Sequence, residues 1–77
     1  MLIGLDRLKP GCEAMVIHIG TQRALQLRLR DLGFVPGTKV QCSYRGPGNR
    51  VTALKFRGCV IALRTRDLSD ILVRANG

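Results

Sequence analysis

Apolar and polar residues alternate along two neighbouring stretches of the chain, 38–45 and 50–57. An alternation with a period of two is typical of a strand with one buried face. Between them stands Gly-Pro-Gly-Asn, a sequence suited to a four-residue hairpin connection. The pattern therefore predicts a β-hairpin. Its expected inward side chains are Val40, Cys42 and Tyr44 in the first strand and Thr52, Leu54 and Phe56 in the second.

The stretch 21–32 favours a helix, although three of its leucines also alternate as in a strand. Leucines recur at i, i+4 and i+7, and Gln, Arg, Ala and Leu all favour helix. Thr21 suits the N-cap, and Gly33 suits a left-handed end. We predict a helix of about three turns here. The leucines expected to face the sheet are Leu25, Leu29 and Leu32.

Short apolar runs separated by Gly and Pro turns are typical of a small barrel or sandwich. The predicted strands are 12–19, 38–45, 50–57, 59–64 and 71–74. The fold class is therefore mainly β: a small, strongly bent five-stranded antiparallel barrel with one helix between the first and second strands. With 77 residues we expect one domain over 1–77, its core at about 5–74.

Positive charge dominates the composition, with 13 Lys and Arg against 5 Asp and Glu and a net charge of +8. Ten of the thirteen are Arg, which forms bidentate contacts with carboxylates and phosphates. An acidic partner is one interpretation, and simple solubility is the other.

Catalysis is disfavoured by the small size and by the lack of a recognisable nucleophile, base and oxyanion-hole set. No Gly-rich phosphate loop is present. The opening residues are too short for a signal sequence, and no apolar run approaches the ~18 residues of a membrane span. We expect a cytoplasmic protein with no cofactor and no membrane insertion.

The three cysteines and the single histidine are widely spaced and include no CxxC pair. Cys42 and Cys59 share predicted strand faces with apolar residues, so we expect both in the core. Cys12 and His18 remain weak candidates for a metal site, with His18 expected at the surface.

Several motifs together resemble the FeoA family, small cytoplasmic proteins of bacterial ferrous iron uptake. The specific part is Leu-Arg-Asp-Leu-Gly-Phe-Val-Pro-Gly-Thr at 29–38. The weaker parts are Leu5-x-x-Leu8-Lys9-Pro10-Gly11, Ile61-Ala62-Leu63-Arg64, Asp67-Leu68 and Ile71-Leu72-Val73. One departure is the hairpin loop at 45–50, which is shorter than the proline-bounded loop of family members and lacks its Leu.

The resemblance implies an SH3-like fold, which also forms the C-terminal domain of DtxR-type metal-dependent repressors. It implies a non-catalytic accessory protein that docks to the cytoplasmic G-protein domain of FeoB, a membrane transporter. The protein would then be held at the inner face of the membrane through that partner. A regulatory domain like that of the repressors is a third hypothesis, but this chain has no helix pair to read DNA.

Patterning suggests two partner surfaces. On the helix, Arg23, Leu27 and Arg30 are spaced i, i+4 and i+7 and are expected on the side away from the sheet. The second surface is a basic area around the hairpin, formed by Arg45, Arg50 and Arg57 and extended by Lys39 and Lys55.

The alternative function is a small basic barrel that binds RNA or single-stranded DNA. It lacks a visible stacking platform, because Tyr44 and Phe56 are both expected in the core and Phe34 lies in the turn after the helix. The sequence leaves open whether the chain forms a homo-oligomer by pairing edge strands or terminal segments.

Overall fold

The computed structural model describes residues 1–75, and Asn76 and Gly77 of the predicted domain lie outside the described residues. In chain order the elements are β1 (Leu2–Gly4), a 3-10 helix (Leu5–Arg7), β2 (Glu13–Ile19), α1 (Arg23–Asp31), β3 (Lys39–Arg45), a 3-10 turn (Pro47–Asn49), β4 (Val51–Phe56), β5 (Cys59–Arg64), a 3-10 helix (Thr65–Asp70) and β6 (Ile71–Ala75). None of the helices within this range has the length and apolar character needed to cross a membrane.

All six strands join one antiparallel sheet in the order β1-β6-β2-β3-β4-β5. A flat sheet would be only about 10 Å thick with its side chains. The molecule instead measures 26 × 25 × 23 Å, so the sheet curls around its own core. The last strand lies between β1 and β2, and its end bonds to the start of the chain. The Ala75 N–H donates to the Met1 carbonyl at 2.8 Å, and the Met1 ammonium donates to the Ala75 carbonyl at 3.2 Å.

The mainly β architecture and the helix between the first two predicted strands are confirmed, but the count of five strands is wrong. The five predicted strands end within one residue of β2, β3, β4, β5 and β6. The additional strand, β1, has only three residues. Three residues cannot display an alternation, and β1 exists because β6, some seventy residues later, offers it a backbone edge.

One apolar core fills the curled sheet. Phe34 and Phe56 meet there edge to face, with ring centroids 5.1 Å apart and planes at 72°. This geometry is favourable for the quadrupoles of two aromatic rings. The contact joins the turn after α1 to the end of β4, so the helix and the hairpin share one packing unit. The remaining apolar side chains of the core that have no exposed surface are Leu5, Val16, Val40, Cys42, Leu54, Leu68, Ile71 and Val73.

The helix begins at Arg23, one residue later than a cap at Thr21 predicts, and its leucines only partly follow the expected pattern. Leu29 is buried and Leu25 is half-buried against the core, but Leu32 is 43% exposed. The expectation for Leu32 is wrong because the chain reverses at Gly33 (φ 88°) and Phe34 enters the core in its place. The Phe34 N–H donates to the Leu29 carbonyl at 2.8 Å and closes this turn.

Thr21 is not the helix cap. The N-cap residue is Gln22, which makes no side-chain capping bond. Thr21 is buried, and its Oγ1 has no hydrogen-bond partner among the described residues. The hydroxyl is turned into the protein rather than toward the first N–H groups of α1, so the capping prediction is wrong.

Tyr44 lies outside the core, contrary to the alternation in β3. Cys42 pairs with Leu54 and Tyr44 pairs with Ala53, so one extra residue, Ser43, stands in β3. Such a β-bulge shifts the side-chain alternation by one position. Tyr44 therefore points to the outer face with Ala53 and is 59% exposed.

Cys59 is exposed, so its predicted core position is also wrong, whereas Cys42 is fully buried as expected. Cys59 is the first residue of β5, directly after the two-residue turn Arg57-Gly58, and β5 is an edge of the sheet. It faces the side of Phe56, but within residues 1–75 no strand pairs with β5 on its outer edge.

We expect Leu29→Ala to lower the free energy of unfolding by about 2–5 kcal/mol, because it removes a fully packed side chain from the core. Leu32→Ala is the matched control, since Leu32 is on the same helical segment but 43% exposed, and it should change stability by less than about 1 kcal/mol. Urea unfolding followed by circular dichroism measures both. Equal midpoints for the two variants would contradict the described orientation of α1.

Candidate functional site

The outer side of α1 carries Arg23, Leu27 and Arg30, and all three are exposed. We call this set the helix patch. Leu29 anchors the opposite side of the helix in the core, so the patch faces away from the sheet. Leu27 is 40% exposed, with a guanidinium one turn away on either side. An aliphatic side chain between two cations is the usual composition of a small protein contact: an apolar centre with a polar rim.

The helix is held in place at both ends, so the helix patch has a defined position. Near its start, Gln26 Nε2 donates to the Ile19 carbonyl at 2.8 Å and ties α1 to the end of β2. At its end, Thr38 Oγ1 donates to the Gly33 carbonyl at 3.1 Å and accepts from the Val35 N–H at 3.2 Å. The first bond joins α1 to β2, whereas the other two close the turn between α1 and β3. The bond from the Phe34 N–H to the Leu29 carbonyl joins that turn to α1.

The structure does not bring Arg45, Arg50 and Arg57 together as one surface. Arg50 and Arg57 lie at opposite ends of β4, about 20 Å apart along the strand. Arg45 is half-buried and turned inward: its Nε donates to Thr52 Oγ1 at 3.1 Å, and its Nη2 donates to Cys42 Sγ at 3.7 Å. The predicted hairpin surface is therefore corrected to two separate basic regions.

The first basic region is a cleft of about 460 Å³ lined by Asn49, Arg50, Val51, Arg64 and Arg66. Its three guanidinium groups come from the hairpin turn, the end of β5 and the following 3-10 helix. The Thr65 N–H donates to the Arg50 carbonyl at 2.9 Å and fixes these segments side by side. Among the described residues no carboxylate lines this cleft, so it is suited to an oxyanion.

The second basic region surrounds a larger cleft of about 660 Å³ at the other end of the hairpin. Lys39, Lys55 and Arg57 line it, together with Glu13, which offsets part of their charge. The Arg57 side chain also reaches the end of α1, since a Cβ placed on Gly33 would lie 3.4 Å from its Nη1.

Between these two regions lies the outer face of β3, β4 and β5. We call it the basic sheet face; its members are Tyr44, Val51, Ala53, Lys55, Val60, Ala62 and Arg64. Register pairs Lys55 with Val60, Ala53 with both Tyr44 and Ala62, and Val51 with Arg64. Residues directly opposite in a sheet share a face, so all seven point the same way.

Sequence reasoning missed this face because the bulge at Ser43 is invisible in the alternation. Arg64 and Arg66 were missed because tertiary structure alone places them beside Arg50: the strand register positions Arg64, and the backbone bond from Thr65 to Arg50 positions Arg66. One signal was available: the stretch 32–66 contains seven of the thirteen Lys and Arg and none of the five acidic residues. That stretch carries +7 of the net charge of +8.

The weak metal candidates do not come together. Cys12 precedes β2 and His18 lies near its end, about 20 Å along the strand, and both are exposed. Cys12 is a backbone neighbour of Cys42, whose N–H donates to the Cys12 carbonyl at 3.1 Å, but the Cys42 side chain is buried. Within residues 1–75 there is no group of three or more His, Cys, Asp or Glu side chains placed to hold a metal ion.

Comparison with known proteins places these surfaces in a family context. A family model described as the FeoA domain matches residues 3–75. The solution structure of the FeoA protein from Chlorobium tepidum is 27% identical with a TM-score of 0.92, and the match covers 97% of this chain and 71% of that one. Among curated proteins, none matches the chain.

Two further solved structures are similar. The FeoA of Stenotrophomonas maltophilia, solved with zinc, is 27% identical with a TM-score of 0.77, and the match covers 95% of this chain and 88% of that one. It is described as an SH3 domain protein and suggested to activate ferrous iron transport. The IdeR of T. acidophilum shares the fold alone, at 17% identity and a TM-score of 0.81 over 97% of this chain and 34% of that one. The expected SH3-like fold is thereby confirmed.

We expect two of the three thiols to react with a disulfide reagent such as DTNB in the native protein, and the third only after unfolding. Cys12 and Cys59 are exposed, whereas Cys42 has no exposed surface. Thiol reactivity requires access as well as the thiolate form. The absorbance of the released thiol reagent, measured with and without urea, gives the number of thiols that react in the native protein and the number that react only after unfolding. Cys59→Ser should leave a single fast thiol, and two fast thiols in that variant would contradict the burial of Cys42.

Proposed function

The chain belongs to the FeoA family, and we propose that it is a non-catalytic accessory protein of bacterial ferrous iron uptake that docks onto a FeoB-type transporter. The proposed contact is with the cytoplasmic G-protein domain of that transporter. Docking there would modulate the transporter's nucleotide cycle or its assembly. The protein would work in the cytoplasm and be held at the inner face of the membrane by this partner.

The observation that carries the proposal is the helix patch. Its central Leu27 is a large aliphatic side chain that the fold leaves 40% exposed. Hydrogen bonds tie its helix to β2 at one end and to the turn at Phe34 at the other. A rigid apolar anchor loses little conformational entropy on binding. Arg23 and Arg30 flank it and can pair with carboxylates at the rim of a partner surface.

Charge supports the same partner in a different way. A protein of +8 is attracted to an acidic surface from a distance, which raises the rate of association more than the final affinity. Within the interface, Leu27 would then determine the lifetime of the complex, while Arg23 and Arg30 determine how often it forms.

The nucleic-acid alternative gains one aromatic residue from the structure, because Tyr44 is exposed rather than buried. Single-stranded nucleic acids bind to sheets through several aromatic rings on which successive bases stack. Across the sheet from Tyr44 lie Ala53 and Ala62, which offer no ring. Docking to a protein therefore remains the function that the described surfaces support better.

We expect Leu27→Asp to weaken binding to the purified G-protein domain at least tenfold, equivalent to about 1.4 kcal/mol. The substitution replaces the apolar centre of the helix patch with a charge that must be desolvated in the interface. Isothermal titration calorimetry measures the affinity, and urea unfolding checks that the variant folds. Leu32→Asp is the matched control: it has the same residue type and similar exposure beside the same helix, but it lies outside the helix patch.

Equal loss of affinity in Leu27→Asp and Leu32→Asp would remove the helix patch as the interface. A wild-type protein that binds neither the G-protein domain nor the intact transporter, with or without nucleotide, would overturn the proposed function itself.

A further inference from the structure

The basic sheet face combines exposed apolar side chains in its middle with cations at both ends. Tyr44, Val51 and Val60 are 59%, 45% and 61% exposed. Small residues, Ala53 and Ala62, lie between them. From Val51 to Lys55 the apolar strip is about 13 Å long, and three strands make it about 10 Å wide. Isolated exposed apolar residues are ordinary, but three on one face of a small sheet form a patch.

The cations that surround this strip form two groups. Arg50, Arg64 and Arg66 line the cleft at one end of β4. Lys39, Lys55 and Arg57 line the cleft at the other end. The groups are about 20 Å apart along the hairpin, and the stretch 32–66 that supplies all six contains no Asp or Glu. The only carboxylate that lines either cleft, among residues 1–75, is that of Glu13.

We propose that the basic sheet face docks directly on the surface of an anionic phospholipid membrane. The two cation groups would contact lipid phosphates at both ends of the strip. Val51 and Val60 would enter the boundary between headgroups and acyl chains, and the Tyr44 ring would lie at that boundary, where its apolar body and polar hydroxyl are both satisfied. Each Lys or Arg near such a surface strengthens binding about fivefold, so six cations and a short apolar strip are enough for reversible attachment.

Two features of the face favour lipid over other anionic partners. The side chains between the cation groups are mainly aliphatic, and aliphatic groups gain from contact with lipid but provide no stacking surface for bases. The cations lie in two groups on either side of an open strip, not in a single groove that would follow a nucleic-acid backbone. A layer of lipid phosphates would therefore complement the charge of the whole face, whereas a single soluble phosphate would occupy only one of the two clefts.

This inference does not depend on the partner proposed above, because the helix patch and the basic sheet face share no residue. Membrane attachment would, however, help the protein to meet the transporter, because the protein would then diffuse only along the inner surface of the membrane.

Vesicle sedimentation tests the proposal. The intact protein is mixed with vesicles of phosphatidylcholine alone or of equal parts phosphatidylcholine and phosphatidylglycerol. We expect sedimentation with the second set only, and a large decrease at about 1 M salt, where the Debye length falls to about 3 Å. Tyr44 is the only tyrosine and there is no tryptophan, so tyrosine fluorescence and its quenching by acrylamide report on this face alone. Vesicle binding should protect Tyr44 from the quencher.

Two variants separate the charge from the apolar strip. Lys55→Gln combined with Arg64→Gln should lower partitioning about 25-fold, and Val60→Asp should lower it at least tenfold. The matched controls are Arg23→Gln combined with Arg30→Gln, and Leu27→Asp. Both controls change the same kinds of residue, but on the helix patch. Leu27→Asp should therefore leave partitioning nearly unchanged. The Arg23→Gln and Arg30→Gln pair should lower partitioning far less than the Lys55→Gln and Arg64→Gln pair. Thermal unfolding checks that each variant is folded.

Several outcomes would overturn the inference. One is absence of sedimentation with the anionic vesicles, and another is an equal effect of each variant and its control. A third is protection of Tyr44 by single-stranded RNA but not by vesicles, which would assign the face to nucleic acid. Full displacement from vesicles by millimolar glycerol phosphate would assign the clefts to a soluble phosphate. Loss of vesicle binding in Val60→Asp, with binding to the G-protein domain retained, would support the inference and leave the proposed function standing.

Discussion

The pairing of β6 with both β1 and β2 is the constraint on which the rest of the structure depends. This strand comes last in the described chain, yet it lies inside the sheet and contributes Ile71 and Val73, neither of which has exposed surface. Without it β1 has no neighbour, and β2 keeps only its short pairing with β3. The curled core that supports α1 and the β3–β5 meander therefore forms only when β6 pairs with β1 and β2.

Local sequence patterns predicted the elements well, because most strands and the helix bury one face. The alternation in β4 placed Thr52, Leu54 and Phe56 correctly, since no bulge interrupts that strand. The failures occur where a long-range contact or a local irregularity overrides the pattern. β1 exists only through pairing with distant residues, and Tyr44 changes face through one extra residue in β3. Leu32 and Cys59 lie at the ends of their elements, where the apolar pattern of the sequence extends beyond the buried core.

Less of the candidate site was predictable. The helix patch follows from the 3.6-residue period, which needs no knowledge of the tertiary structure, and its three residues are exposed as expected. The basic regions depend on strand register, which puts Arg64 opposite Val51 and beside Arg50 while separating Arg50 from Arg57. Arg45 shows a further difficulty: an arginine at the end of a strand, beside the hairpin loop, is expected in solvent, but its side chain turns inward and donates to the hydroxyl of buried Thr52. Thr52 Oγ1 also lies 2.7 Å from Thr65 Oγ1, so the guanidinium completes a small polar network under the hairpin.

The separation of charge between the two halves of the molecule has a consequence before any contact is made. Because the stretch 32–66, which contains the β3–β5 meander, carries +7 of the net charge of +8, the molecule has an electrostatic dipole as well as a monopole. In the field of an anionic membrane surface such a dipole experiences a torque, and at distances comparable to the Debye length, about 8 Å in physiological salt, the charged side turns toward the membrane. The weakly charged remainder, including β1, β2, β6 and much of α1, then points away. Of the many orientations in which a protein of this size can arrive, a small subset is strongly favoured, so a larger share of its collisions begins with the same face forward.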